Sequence, residues 1–308
     1  VTSLRVAVLI PCYNEVVAVP HVIAAFRAAL PAASIYAYDN NSADDTAAVA
    51  KAAGAQVGHE RRQGKGHVVR RMFADVDADV FVLVDGDDTY DAAAAPAMIS
   101  LLLEERLDMV TGTRVGHAAL AARRGHRFGN AVLTGLVSRL FGAEVTDMLS
   151  GYRVFSRRFV KSFPALSGGF EIETELTVHA LELALPIGEF PAAYRERPLG
   201  SASKLHTFTD GARILRLILV LVKDERPLPF FSASGLVLLL CGFALGIPVV
   251  LEFLRTGLVP RLPTAIVAAS LVALSFLSFA CGLILDSVAR GRREMKRLAY
   301  LGAASGVT

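Results

Sequence analysis

Apolar positions in this chain come first as short runs that end in polar turns, and later as two long stretches without any charge. Arg5-Val-Ala-Val-Leu-Ile10 is a continuous apolar run with the look of a central parallel strand, buried on both faces. Pro11-Cys-Tyr-Asn-Glu15 breaks it before an alanine- and valine-rich helical stretch that reaches about Leu30. A second strand, Ile35–Tyr38, ends at Asp39-Asn-Asn-Ser42, where Ser42 or Asp44 is placed to cap a helix over Asp45–Ala53. A short strand at Gln56–His59, the turn Arg61-Arg-Gln-Gly-Lys-Gly66 and a helix over Val68–Phe73 lead to the run Val80–Val84, which stops abruptly at Asp85-Gly-Asp-Asp88. The same alternation continues with an amphipathic helix over Pro96–Glu105, strands at Asp108–Thr113, Tyr152–Ser156 and Ile187–Tyr194, and a helix from Glu171 to about Leu185. Strands alternating with helices, with sharp polar turns after the strands, predict a doubly wound α/β domain with a mostly parallel sheet.

The long stretches are Phe230–Leu251 and Thr264–Leu285, each free of Lys, Arg and acids, with Glu252 and Asp286 just outside. At ~1.5 Å per residue either is long enough to cross a ~30 Å hydrocarbon core. Two buried core helices of a soluble protein are the competing reading. Arg213, Arg216, Lys223 and Arg226 precede the first span, and Arg290, Arg292, Arg293, Lys296 and Arg297 follow the second, whereas the connection holds only Arg255 and Arg261. By the positive-inside rule this asymmetry predicts a hairpin with both termini cytoplasmic. Val6–Ile10 is too short for a secretory leader and is followed by Pro11 and polar residues, so no signal peptide is expected. The predicted organisation is therefore a cytoplasmic α/β domain over 1–209, an interfacial helix over 210–229, a hairpin over 230–290 and a basic tail over 291–308. Gly235, Gly242 and Gly246 leave room for close helix packing, in the hairpin or in a homo-oligomer.

Composition changes this picture little. Among 308 residues with 53% hydrophobic content the net charge is only +3, which does not suggest a nucleic-acid binder. The basic residues gather near the spans and between Arg114 and Arg127, ahead of an apolar helical stretch at Ala131–Phe141, a combination that suits a membrane surface over about 117–141. A solvated helix face followed by a core helix reads equally from these residues. The three cysteines have no metal or disulfide spacing.

The chemistry gathers at the carboxyl ends of the predicted strands, where open α/β sheets bind ligands. Tyr13 and Glu15 follow the first strand, Asp39 the second, and Asp85 and Asp87 the fourth. Two carboxylates one residue apart can present oxygens to one hard cation, Mg²⁺ or Mn²⁺, although Asp85-Gly-Asp-Asp88 taken alone reads equally as an ordinary polar turn. Gly64-Lys-Gly66 offers a charge and exposed amides, but it lacks the spacing of a Walker loop.

Pro11-Cys-Tyr-Asn-Glu15, Asp39-Asn-Asn-Ser42 with Asp45-Thr46, Gly64-Lys-Gly66 and Asp85-Gly-Asp87 resemble, in order and spacing, the donor-site motifs of the family 2 glycosyltransferases with a GT-A fold. Within that family the chain resembles the polyprenyl-phosphate glycosyltransferases, of which dolichol-phosphate mannose synthase is the best known, and the paired spans extend the likeness to members with a C-terminal hairpin, which implies the plasma membrane of a prokaryote. The resemblance implies that Pro11, Tyr13, Glu15 and Asp39 hold base and ribose, that Lys65 and Gly66 lie near the diphosphate, and that Asp85 and Asp87 bind the metal. Arg114 and Arg127 match phosphate-binding arginines on the acceptor side. Asp147-Met-Leu-Ser-Gly-Tyr-Arg153 resembles the acceptor motif, and Arg197-Pro-Leu-Gly-Ser-Ala-Ser203-Lys204 resembles an Arg-x-x-Gly-x-Ser-Lys segment with one extra residue. The chain departs from the pattern at Thr89, where many relatives have a glutamine that ligates the metal, and at Asn40, where an aspartate is usual. Asp147 is counted with Asp85 and Asp87 among the catalytic candidates, its part left open between orienting an arginine or the sugar and taking a proton, and for most of Glu171, Glu173 and Glu175 a structural part is expected, favoured by a helix N-terminus.

The reaction so implied is an inverting transfer of one hexose or N-acetylhexosamine from a nucleotide sugar, a UDP-sugar in preference to GDP-mannose, to an undecaprenyl or dolichyl phosphate. A phosphate acceptor is largely ionised at neutral pH, so no strong general base is required. Two other classes stay in view. A processive polysaccharide synthase would be expected to carry a Gln-x-x-Arg-Trp motif, and this chain has no Trp. A membrane-anchored sugar-nucleotide sensor would bind donor without turnover.

Overall fold

In a computed structural model the chain is described at residues 4–115, 135, 145–169, 171–195, 220, 222–224 and 226–303. Seven strands form one sheet: β1 (Val6–Cys12), β2 (Ser34–Asp39), β3 (Gln56–His59), β4 (Val80–Leu83), β5 (Met109–Val115), β6 (Arg153–Ser156) and β7 (Ile187–Ala193). Helices α1 (Val19–Ala29), α2 (Thr46–Ala52), α3 (Lys65–Asp75), α4 (Ala95–Glu104), α5 (Arg157–Ser162) and α6 (Ile172–Glu182) connect or cover them. The spatial order is β3-β2-β1-β4-β6-β5-β7. β1 pairs in parallel with β2 and β4, β2 with β3, and β5 with β7, whereas β6 runs antiparallel between β4 and β5. The expected doubly wound, mostly parallel sheet is present.

The core explains why the strands read as unbroken apolar runs. Side chains alternate between faces at period two, and here both faces are covered. Val8, Ile10, Val80 and Val82 pack with Val22, Ile23 and Phe26 of α1 and Met98 of α4 on one side. Ala7, Leu9, Phe81 and Leu83 pack with Val69, Met72 and Phe73 of α3 and Ile172 and Leu176 of α6 on the other.

Because β6 is antiparallel, its first residue lies at the edge where β4 ends, with Leu83 opposite Arg153. One sheet edge thus collects the turns after β1, β2, β4 and β5 and the loop before β6. Helix ends differ in detail from expectation. α3 starts at Lys65, three residues before the apolar stretch that announced it. Ser42 does not cap α2; its hydroxyl accepts the Asn14 amide, while Asp44 Oδ1 accepts the Thr46 amide.

The chain divides into two compact units, residues 1–214 with 296–308, and 215–295. Within the first, Lys296 donates to Glu182 Oε2 at 2.5 Å and Tyr300 Oη to Asp108 Oδ2 at 2.9 Å, so the end of the chain is tied to the domain at the opposite end of β5 from the site. The second contains α7 (Pro227–Thr256) and most of α8 (Leu262–Gly302), both long and apolar enough to cross a membrane. Only 11% and 17% of their apolar windows is buried, unlike core helices of a soluble domain. Both outrun the charge-free stretches, since flanking charges do not interrupt backbone hydrogen bonding; α7 stops at Gly257, which takes a left-handed conformation. Gly235 and Gly242 face the Ser275 and Ala268 carbonyls of α8, so these two small residues serve packing within the hairpin.

Candidate active site

One side of the site, where the donor is expected, is built from two turns tied together. After β1, the Asn14 amide side chain accepts from Ala43 N at 2.7 Å and Glu15 N donates to Thr46 Oγ1 at 2.8 Å. Asp39, at the end of β2, accepts from Ser42 N through Oδ2 and lies 3.5 Å from His59 Nδ1. Its other oxygen, Oδ1, is buried without a hydrogen-bond partner. A buried carboxylate oxygen in that state is costly unless a donor reaches it, which suits the N–H of a base. Pro11 lies in β1 opposite Tyr38, Glu15 is buried, and Tyr13 is half exposed beside them.

Asn40 has a part that its position in the motif did not reveal. Its amide donates to the Glu60 and Arg62 carbonyls at 2.9 and 2.8 Å, and its Oδ1 accepts from Gly64 N at 2.7 Å. It clamps the loop that delivers Gly64-Lys-Gly66. Both glycines are required by close approach: a Cβ on Gly64 or Gly66 would run into the Gly168 or Ser167 carbonyl oxygen.

Lys65, the first residue of α3, points into the site. Its ammonium bridges Asp85 Oδ1 and Glu173 Oε1, and all three side chains are largely shielded from solvent. Burial disfavours charge on Lys65, but Asp85 and Glu173 outweigh it and hold the ammonium well above the ordinary lysine range. Burial pushes the Glu173 carboxyl up, with Lys65 acting in the opposite direction. Asp85 is also pressed against the neighbouring loop, where a Cβ on Gly151 would collide with its Oδ2. Asp87 is buried and accepts from Thr89 Oγ1 at 2.6 Å and, more weakly, from Thr89 N at 3.3 Å. Thr89 therefore orients Asp87. Among the described residues no group of three or more His, Cys, Asp or Glu is arranged to hold a metal. Asp85 and Asp87 nonetheless fit Mg²⁺ or Mn²⁺ bound with phosphate oxygens and water, which is how such ions sit with one or two protein carboxylates.

On the other side, Arg114 near the end of β5 donates Nε to Asp147 Oδ2 at 2.8 Å and Nη2 to Oδ1 at 2.7 Å, and lies over the Tyr194 ring. Burial works against the Asp147 charge, yet the Arg114 guanidinium wins and keeps the carboxyl below its ordinary value. A carboxylate so held orients the guanidinium it pairs with and is a weak acceptor for a further proton. Arg153 fixes the loop itself. Fully buried, it donates to the Met148 carbonyl at 2.6 Å, the Ser150 carbonyl at 3.1 Å and Thr177 Oγ1 at 2.8 Å. Tyr90 Oη accepts the Gly151 amide at 2.9 Å, joining this loop to the acidic turn.

The structure thus brings together Pro11, Tyr13, Glu15, Asp39, Lys65, Gly66, Asp85, Asp87, Arg114 and Asp147 along one sheet edge. Arg127, Arg197, Ser203 and Lys204 lie outside the described residues, as do nearly all of 117–141 and most of 210–229. Sequence reasoning missed Glu173, because nothing in Glu171, Glu173 and Glu175 says which one faces a lysine 108 residues away.

A mostly parallel sheet with an acidic pair and an arginine–aspartate pair at one edge has the architecture of a GT-A glycosyltransferase domain. Residues 7–163 match the family described as Glycosyl transferase family 2. The glycosyltransferase AglJ of Haloferax volcanii is 31% identical over 300 residues, 96% of this chain and 98% of that protein. The chain belongs to glycosyl transferase family 2. An uncharacterized Shigella flexneri protein is 56% identical over 154 residues, half of this chain and 94% of its own length. A protein of H. volcanii named dolichyl-phosphate hexose transferase is 30% identical over 220 residues, 71% of this chain and 95% of that protein. Among solved structures, Mycobacterium tuberculosis glucosyl-3-phosphoglycerate synthase in complex with Mn²⁺, uridine diphosphate and phosphoglyceric acid has the same fold, with a TM-score of 0.55 and 23% identity over 72% of this chain and 78% of that one.

Proposed function

We propose that this glycosyltransferase moves one hexose or N-acetylhexosamine from a nucleotide-diphosphate sugar to a polyprenyl phosphate at the cytoplasmic face of a prokaryotic plasma membrane. The observation that carries the reading is the placement of Asp85 and Asp87 between the Asp39 oxygen without a partner and the Arg114–Asp147 pair, in a chain with two helices of membrane-spanning length. The name of the H. volcanii dolichyl-phosphate hexose transferase supports a lipid phosphate acceptor. The complex of glucosyl-3-phosphoglycerate synthase with Mn²⁺ and uridine diphosphate supports a divalent metal and a UDP-sugar. The basic residues before α7 and at the end of α8 support a topology with both termini in the cytoplasm.

In this reading Asp39, Glu15 and Tyr13 seat the nucleoside, and Asp85 and Asp87 ligate Mg²⁺ or Mn²⁺. When bound, the cation stabilises the departing diphosphate as a Lewis acid. Arg114, set by Asp147, offsets the charge of the acceptor phosphate, together with Arg127, Arg197, Ser203 and Lys204. A phosphate oxygen, already ionised, attacks the anomeric carbon as the bond to the diphosphate breaks, inverting an α-linked donor to a β-linked lipid product. The protein's part is positioning and electrostatics. Asp87→Ala should abolish transfer while the protein stays folded by circular dichroism; activity near the wild-type rate would overturn the metal assignment.

A further inference from the structure

Glu173 has no role in this mechanism, yet it shares the Lys65 ammonium with Asp85. It sits in the first turn of α6, reaches Lys65 across 108 residues of sequence and is almost fully buried. Burying an acid is unfavourable unless it is paired, and a first helical turn favours a negative charge. The other buried cation nearby, Arg153, is occupied by the Met148 and Ser150 carbonyls and the Thr177 hydroxyl. Arg153 feels the Glu173 charge through space, but Lys65 is the cation in direct contact with the Glu173 carboxylate.

The arrangement bears on how Asp85 can serve a cation. A lysine paired with Asp85 alone makes a neutral unit, and a carboxylate neutralised by an ammonium is a weak ligand for a dication. A second carboxylate on the far side of the ammonium changes that balance, because the cluster keeps net negative charge and Lys65 has a seat that does not involve Asp85. We propose that Glu173 is a positioning residue for the metal site, giving Lys65 a second anionic partner so that a divalent cation and this lysine can share Asp85. The inference rests on reading Asp85 and Asp87 as cation ligands.

The full chain in detergent provides the test, with Mn²⁺ titrated in saturating UDP and free Mn²⁺ followed by electron paramagnetic resonance. Glu173→Gln should weaken Mn²⁺ binding by about tenfold or more, the usual cost of losing an outer partner of a metal ligand. Adding Lys65→Met to that variant should restore most of the affinity, because the competing ammonium is gone. A purely structural role predicts something else: a lower melting temperature in both variants, with Mn²⁺ affinity per folded molecule unchanged. Wild-type affinity in E173Q, or a double variant as weak as E173Q, overturns the proposal. Should E173Q fail to fold, Glu173→Asp, which keeps the charge and shortens its reach, must show weakened Mn²⁺ binding, and unchanged binding there overturns it as well. If the wild type binds no Mn²⁺, the metal reading itself falls and this inference with it.

Discussion

Thr89 stands where many members of the resembled subfamily have a metal-ligating glutamine, and its hydroxyl is turned to Asp87 Oδ1 at 2.6 Å. If Asp87 ligates the cation as proposed, Thr89 acts by holding that carboxylate in place. Thr89→Val keeps the shape and removes that donor, so it should lower turnover about tenfold, while Thr89→Ser stays near wild type; steady-state kinetics of the three proteins at fixed Mn²⁺ distinguish them. Asn40 makes a related point about what single residues disclose. In sequence it reads as a lost acceptor beside the base, whereas in the fold its amide donates to two carbonyls, which an aspartate cannot do. The acids of the site were legible as acids after strands. Their partners were not, because Lys65, Glu173 and Gly151 meet around Asp85 from three distant segments and no local pattern records the meeting.

At the scale of elements, burial on both faces made the strands readable as unbroken apolar runs and left their direction unreadable. Val154 and Phe155 look like any buried strand pair, and only the sheet shows β6 running antiparallel and carrying the 147–152 loop to the site edge. α6 holds a second feature that its pattern hid. His179 is buried among Phe159 and Phe163, with Nε2 3.2 Å from Ser162 Oγ and Nδ1 without a partner. Burial, aided by Lys296, lowers its pKa to about 3. The unfolded chain takes up this proton at about 6.5, the folded domain only near 3, so the contribution to stability is complete above about 6.5 and is lost as pH falls toward 3. The decline should reach about 1.4 kcal/mol per pH unit. Melting temperatures between pH 7.5 and 5 should fall more steeply for the wild type than for His179→Phe; parallel curves would contradict the assignment.

For the whole molecule, one sheet edge gathers Asp39, the acids Asp85 and Asp87 and an arginine set by an aspartate, and two apolar helices come after it in the chain. That plan was legible from hydrophobic runs and the turns that end them, down to the spans, whose ends extend past the charges that seemed to mark them. The last segment of α8 was less legible: it read as a basic cytoplasmic tail, and nothing in its residues announced that Lys296 and Tyr300 bind Glu182 and Asp108. The central claim is that this site joins a sugar to a lipid phosphate. The most direct measurement incubates the purified full chain with undecaprenyl or dolichyl phosphate, Mn²⁺ and a panel of nucleotide sugars, and weighs the lipid by mass spectrometry. The account predicts a lipid phosphate heavier by one hexose or N-acetylhexosamine, formed with a UDP-sugar and lost on chelation of the metal. Donor binding without any lipid product, or a product carrying a chain of sugars, would contradict it.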